Sequence, residues 1–294
     1  MLVASIVIMT LIIMPVHNAG LNVNDHLSKV AMKMENTGTE YWALLFAVGI
    51  YRNHPNQNRP SMLEAVDDLY DVLVDSPEWQ EDHIHVVKGS QATGQNLIKE
   101  LIWLIQNEDK DDMSLIYLTT HGSPLKDQNG FPIDIPPKDE ADGADEILVM
   151  YDGFETWYSF IWDDMLNFFL GMLQSKGVCL IVDSCFSGGF NDIPFRGMVQ
   201  NYGVESFTEG LTEELSAQNR IVLMSSEEDT VSYGSYFSFY LIDGFDGHGD
   251  FYGNGDGINS AEESFDYAQY KVDSMGYQHP TILDLYPGEF QVTS

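Results

Sequence analysis

Only two cysteines, Cys179 and Cys185, occur in the 294 residues. They lie within one strand-turn unit, too few for a disulfide framework, and neither belongs to a C-x-x-C pattern, so a zinc ribbon is excluded and a reactive thiol is the better reading. Basic residues are scarce as well: 13 Lys+Arg stand against 46 Asp+Glu, a formal net charge of −33. Such a surface repels nucleic acid and anionic membranes and favours cationic partners and metal cations. It also suits a salty or acidic medium, where carboxylates are screened or protonated. No internal repeat and no low-complexity linker interrupts the chain, which favours one domain. No segment could cross a bilayer except one at the start, where the apolar run Leu2 to Met14 precedes Pro15-Val16-His17-Asn18-Ala19-Gly20. That run is short for a membrane-spanning helix and resembles a secretory signal over residues 1–19, which predicts a secreted or extracytoplasmic protein; an uncleaved anchor is the alternative.

What is present is enough apolar residue, 44% hydrophobic and 12% aromatic, for a sizeable core. Lys176 to Gly189 (KGVCLIVDSCFSGG) organises the rest. Val178 to Val182 is an unbroken apolar run, β-branched at three positions, which reads as a strand buried on both faces. It stops at Asp183-Ser184-Cys185, followed by small residues and two glycines that let backbone approach a ligand closely. A carboxylate, a thiol and a Gly-rich turn at the carboxyl end of a buried strand lie where an open α/β sheet places its chemistry. Cys185 could equally be a small buried hydrophobe on this stretch alone. A second apolar strand, Met113 to Thr120, ends in His121-Gly122. A thiol nucleophile needs its histidine near in space, not in sequence, and two core strands ending in His and Cys supply that.

Taken in order, residues 20–40 are polar and read as a leader or pro-segment, and Tyr41 to Tyr51 as the first central strand. Met62 to Val74 carries a helical apolar stripe with acids on the other face. Ile84 to Val87 reads as a strand and Gln95 to Ile105 as a helix; the His strand follows, then an acidic, proline-bearing loop from Ser123 to about Glu146. A helix from about Trp162 to Leu173, the Cys strand, an irregular connection, a strand at Arg220 to Ser225, and helices at Tyr236 to Phe245 and Ala261 to Met275 complete the pattern. Alternating strands and helices predict an α/β three-layer sandwich with a mostly parallel central sheet and helices on both faces. The expected division is one domain over 41–294, with a larger part at 41–196 and a smaller part at 218–294.

These residues resemble a family. The chain is similar to the caspase-fold cysteine peptidases, the clan of caspases, metacaspases and legumains, and most similar to metacaspase-like prokaryotic members. The resemblance rests on Thr119-Thr120-His121-Gly122, Asp142-Gly143-Ala144-Asp145-Glu146 with Asp152, Asp163-Asp164, Asp183-Ser184-Cys185-Phe186-Ser187-Gly188, Asp192-Ile193-Pro194, Ser225-Ser226 and Gly234-Ser235-Tyr236-Phe237-Ser238. It implies a cysteine endopeptidase in which Cys185 is the nucleophile and His121 carries protons, with the backbone N–H groups of Gly122 and Cys185 as the oxyanion hole and no third triad member. The Gln-Ala-Cys-x-Gly signature of animal caspases is absent, so cleavage after Asp is not implied by that route. Asp183 and Asp68 are implied to line a pocket for Arg or Lys at P1, with Thr119 and Ser225 beside them; a legumain-like pocket for Asn or Asp is the alternative, and a catalytically silent binding module is another. Calcium is implied at Asp145, Asp163, Asp164 and Asp192, oxygen donors of the hard type that ion prefers. A second, weaker calcium loop is read at Asp250, Asn254, Asp256 and Glu263 around Gly257. No organic cofactor is implied, and the expected partners are peptides or proteins with basic residues. The family's second cysteine corresponds here to Ala65, and Arg196 is the expected self-processing site.

Overall fold

The computed structural model describes residues 38–125, 127, 131–135, 138, 143–153, 159–186, 215–225, 236–276 and 279–294, with 185 and 186 described by backbone alone. The expected signal and most of the leader, and Asp142, Asp192, Arg196 and Ser226, lie outside the described residues.

Apolar, β-branched and aromatic runs form the strands: β1 (Tyr41–Ala47), β2 (Ile84–Lys88), β3 (Met113–Pro124), β6 (Gly177–Phe186) and β7 (Arg220–Met224). They lie in the order β2-β1-β3-β6-β7, each neighbouring pair parallel. A strand not foreseen, β9 (Thr281–Asp284), adds antiparallel to β7. Two short strands, β4 (Glu146–Val149) and β5 (Phe160–Trp162), extend the end of β3 as antiparallel neighbours. Strands from both expected parts therefore share one sheet. The order of elements and the two helical layers are those predicted for an α/β sandwich.

Alternation sorts the strand residues between two cores. Leu44, Phe46, Ile116, Leu118, Leu180 and Val182 face the side covered by α2 (Gly94–Asn107) and α3 (Asp163–Leu170). Ala43, Leu45, Leu115, Tyr117, Cys179 and Ile181 face the side covered by α1 (Ser61–Asp75), α4 (Tyr236–Asp243) and α6 (Ala261–Asp273). Burying side chains of this size stabilises by about 1.5–3 kcal/mol each, before the entropy of ordering them is charged. Caps fix where the helices start: Thr93 Oγ1 accepts the Asn96 N–H at 3.2 Å, and Ser260 Oγ accepts the Glu263 N–H at 3.2 Å.

Among the boundaries that differ from the sequence reading, three bear on the architecture. β1 stops at Ala47 rather than Tyr51 because Gly49 takes φ +58, where a Cβ would strike the Leu63 side chain at 2.6 Å, and the chain turns there. Trp162 belongs to β5, not to the following helix. The helix from Tyr236 ends at Asp243 and passes into a π-helical stretch, Gly244–His248, with Gly247 at φ +107, before the short α5 (Gly249–Tyr252). Beyond it, β8 (Asn259–Ser260) pairs with β10 (Gln291–Thr293) in a separate ribbon. No helix among the described residues is long and apolar enough to cross a membrane.

Candidate active site

The carboxyl ends of β3 and β6 meet in register, pairing Thr119 with Asp183, Thr120 with Ser184, His121 with Cys185 and Gly122 with Phe186. Neighbouring strands lie ~4.8 Å apart, so the backbones of His121 and Cys185 are immediate neighbours at the edge of the core.

His121 is held on three sides. Its Nε2 lies 2.8 Å from the carbonyl oxygen of Gln57. A carbonyl only accepts, so Nε2 carries a proton and, in the neutral ring, Nδ1 carries the lone pair. Gln57 ends a 3₁₀ turn, Pro55–Gln57, that leads into α1. The Tyr51 ring stacks on the imidazole at 4.9 Å between centroids and 22° between planes. The Tyr51 hydroxyl accepts the His121 backbone N–H at 2.9 Å. It also lies 3.0 Å from Thr120 Oγ1, whose own proton goes to the Val149 carbonyl, so the phenol must be the donor to Thr120. Burial pushes the His121 pKa down to about 4; the Gln57 contact raises it and nearby Arg59 lowers it further. At neutral pH the imidazole is therefore uncharged, with a defined tautomer and a fixed plane.

Beside it, Asp183 is completely buried. Ser225 Oγ donates to its Oδ1 at 2.7 Å, and the Ser238 hydroxyl, from α4, donates to its Oδ2. Thr119, its register partner, is also fully buried, and Thr119 Oγ1 makes no hydrogen bond among the described residues. The structure thus brings Thr119, Asp183 and Ser225 together beside His121. Asp68 lies on α1, which covers the same face of the sheet, but its side chain is exposed. The other cysteine, Cys179, is sealed in the core, and burial holds its thiol well above the usual range. It is an inert hydrophobe, not a second nucleophile. Arg220, the first residue of β7, is buried too; it donates to the Leu215 carbonyl, and desolvation lowers its pKa to about 10. Nothing could take Arg220 as a cleavage site in the folded chain.

The acidic residues expected to bind calcium have other occupations. Asp163, at the start of α3, accepts the Glu146 N–H at 3.0 Å and the Asp164 N–H at 2.9 Å, and burial raises its pKa. Asp145 accepts the Ile135 N–H at 2.7 Å, and Asp192 lies outside the described residues. In the second loop, Asp250 Oδ1 accepts the Gly257 N–H at 3.0 Å, Asn254 Oδ1 that of Asp256 at 2.9 Å, and Glu263 Oε1 that of Asn254 at 2.7 Å. Asp250 reaches across this loop. Among the described residues no group of three or more His, Cys, Asp or Glu is disposed to hold a metal ion, and Asp192 of the first set lies outside them.

Three residues of the site escaped the sequence reading. Gln57 acts through its carbonyl and has no side-chain signature. Tyr51 lay inside what read as one strand, although Gly49 marked the turn before it. Ser238 stood in a quoted motif without a role.

Several known proteins are similar to parts of this chain. The family model for the metacaspase, peptidase C14 domain, matches residues 60–194. Metacaspase-1 of Saccharomyces cerevisiae is 27% identical over 200 residues, covering 63% of this chain and 44% of that protein. Metacaspase-1 of Arabidopsis thaliana is 37% identical over 105 residues, covering 35% of this chain and 26% of that protein. The chain thus spans less than half the length of these curated relatives. The crystal structure of protein GSU0716 from Geobacter sulfurreducens superposes with a TM-score of 0.54 at 16% identity, covering 83% of this chain and 92% of that one, which speaks to the fold alone. The mostly parallel sheet, the strand-end histidine and cysteine in register, and the domain match over residues 60–194 make this chain similar to the caspase-fold cysteine peptidases.

Proposed function

We propose that this chain is a cysteine endopeptidase that cleaves after Arg or Lys, with Cys185 as nucleophile and His121 as its base and acid. The observation that carries the dyad is the register of β3 on β6, which sets residue 121 beside residue 185. The tautomer of His121 supports the role: with Nε2–H tied to Gln57, Nδ1 is the atom left to receive the thiol proton. As the sulfur attacks the peptide carbonyl, that proton passes to Nδ1, and the Gln57 carbonyl stabilises the imidazolium that forms. The oxyanion would be received by the N–H groups of Gly122 and Cys185, each such donor typically worth ~3 kcal/mol. Collapse of the adduct breaks the C–N bond, and His121 gives its proton to the leaving amine. Water, deprotonated by the same imidazole, then hydrolyses the thioester and restores the thiol.

The P1 preference rests on Asp183. A buried carboxylate that accepts hydrogen bonds from two hydroxyls is the complement of a cationic side chain, which is selected electrostatically when it enters beside it. The Thr119 hydroxyl offers the same ligand a further polar contact, and Asp68 on α1 a second carboxylate. Calcium is proposed as a modulator only, since burial of Asp145 and Asp163 favours a cation nearby; no step of the hydrolysis runs through it. A fluorogenic panel with Arg, Lys, Asn and Asp at P1 tests the specificity, read on the native chain and on Asp183→Asn. Leaving a buried cation unpaired costs about 2–5 kcal/mol, so Arg cleavage should fall about 30-fold or more in the variant. Preferred cleavage after Asn or Asp by the native chain would replace this pocket with the legumain-like one.

A further inference from the structure

Behind Asp183 lies a second layer of hydroxyls. Ser238 is completely buried on α4, and its Oγ lies 2.6 Å from the hydroxyl of Tyr117, itself completely buried on β3, two residues before Thr119. A serine hydroxyl has one proton. That proton goes to Asp183 Oδ2, so the Tyr117 hydroxyl must donate to Ser238. The direction of the chain is fixed: Tyr117 to Ser238 to Asp183, with Ser225 holding the other carboxylate oxygen.

Two hydroxyls arriving from different elements, β7's end and α4, fix more than the position of a carboxylate. They fix its plane. A carboxylate has about four acceptor sites, so two donors steer it without exhausting it. The two P1 cations differ in how much that plane matters. A guanidinium presents a flat fork that pairs with a carboxylate through two parallel hydrogen bonds, whereas an ammonium is a point charge with rotatable donors. A freely turning carboxylate serves an ammonium nearly as well as a fixed one, but serves the fork poorly.

We propose that Tyr117 and Ser238 are positioning residues that set the preference for Arg over Lys at P1 by locking the plane of the Asp183 carboxylate. The inference rests on the reading of Asp183 as the P1 carboxylate. Neither residue touches the substrate; both act through Asp183. The ring of Tyr117 packs in the core between sheet and helices, so its hydroxyl can be removed while the ring stays.

The test is the ratio of kcat/KM for two reporter peptides identical except for Arg or Lys at P1, on the full chain. Ser238→Ala should lower the Arg/Lys ratio about tenfold, the scale of one charge-assisted hydrogen bond. Arg reporter KM should rise more than Lys reporter KM, and Ser238→Thr, which keeps a hydroxyl, should restore the ratio. Tyr117→Phe should shift the ratio the same way by a smaller factor, and it decides the matter if Ser238→Ala does not fold. A purely structural role would lower both reporters together and leave the ratio unchanged, which overturns the proposal. Asp183→Asn separates the layers. If it leaves Arg cleavage intact, the P1 reading itself is wrong; if it abolishes Arg cleavage while Ser238→Ala and Tyr117→Phe leave the ratio untouched, only the relay is wrong.

Discussion

Replacing Tyr51 by phenylalanine removes one oxygen from the wall behind His121 and keeps the ring that stacks on it at 4.9 Å. The lost oxygen accepts the His121 N–H at 2.9 Å and donates to Thr120 Oγ1 at 3.0 Å. Thr120 still has the Val149 carbonyl for its own proton, so its loss is the smaller one. The His121 N–H is buried, and depriving a buried donor of its acceptor costs about 1–3 kcal/mol. We therefore expect Tyr51→Phe to lower unfolding free energy by about 2 kcal/mol, which in a chain of this size shifts Tm by roughly 3 °C. The denaturant midpoint should fall with an unchanged m-value, because the surface exposed on unfolding is the same. Activity should suffer as well. Freed from its anchor, the strand end can carry the imidazole away from its fixed plane, and displacements of about 1 Å at a reacting group cost up to 100-fold. A tenfold fall in kcat with little change in KM is the expected result, read with an Arg reporter beside the melting curves. A variant that loses less than about 0.5 kcal/mol and keeps its kcat would show that the phenol does not anchor His121.

Other consequences follow from the same contacts. With the His121 pKa lowered to about 4, the acid limb of kcat/KM should fall near pH 4 rather than near 6.5, since the profile reports the free enzyme's base. The same shift is a stability statement. The unfolded chain takes up the proton first, so the stability contributed by neutral His121 is complete above pH 6.5 and is lost as pH falls towards 4, in all on the order of 3 kcal/mol. Glu262, raised to about 6 by burial, binds its proton first in the folded chain and so acts with the opposite sign; the difference between the native chain and His121→Asn isolates the histidine, and equal slopes in the two would refute it. Cys179→Ser places a hydroxyl in apolar packing and should cost about 1–3 kcal/mol in a denaturant titration while leaving thiol-dependent hydrolysis in place. Chelation should reduce turnover without changing P1 preference; identical rates with calcium and with chelator would remove the modulator from the account.

The strand ends that matter were legible because they combine two contrasts: continuous apolar runs, needed for strands covered on both faces, and abrupt polar ends at His121 and at Asp183. Their order among alternating helices was enough to foresee a mostly parallel sheet. Register was not legible, since nothing in either run tells residue 121 to pair with 185; the pairing is set by long-range packing of both strands into two cores. Hydroxyl and carbonyl partners were hidden for a different reason. Gln57 offers only backbone, and Tyr51 and Tyr117 count as apolar in a periodicity pattern although each places its oxygen on a functional residue. The hairpin of β4 and β5 was masked by the acids and prolines around it, because short strands of three or four residues carry too little pattern to stand against turn-forming neighbours. Acidic clusters have a second use besides holding cations. Asp163 and Asp250 look like ligands in sequence, yet in the fold their oxygens accept backbone N–H groups, the ordinary task of carboxylates at helix starts and turns.

The account depends most on the pairing of His121 with Cys185, and one experiment addresses it directly: turnover of an Arg reporter by the native chain, Cys185→Ala and His121→Ala, each shown to be folded by its melting curve. Both variants should lose at least about 1000-fold in kcat, to similar extents because the two groups act as a unit, with Cys179 unable to substitute from the core. Hydrolysis surviving in Cys185→Ala at anything near the native rate would contradict the dyad and every role assigned around it.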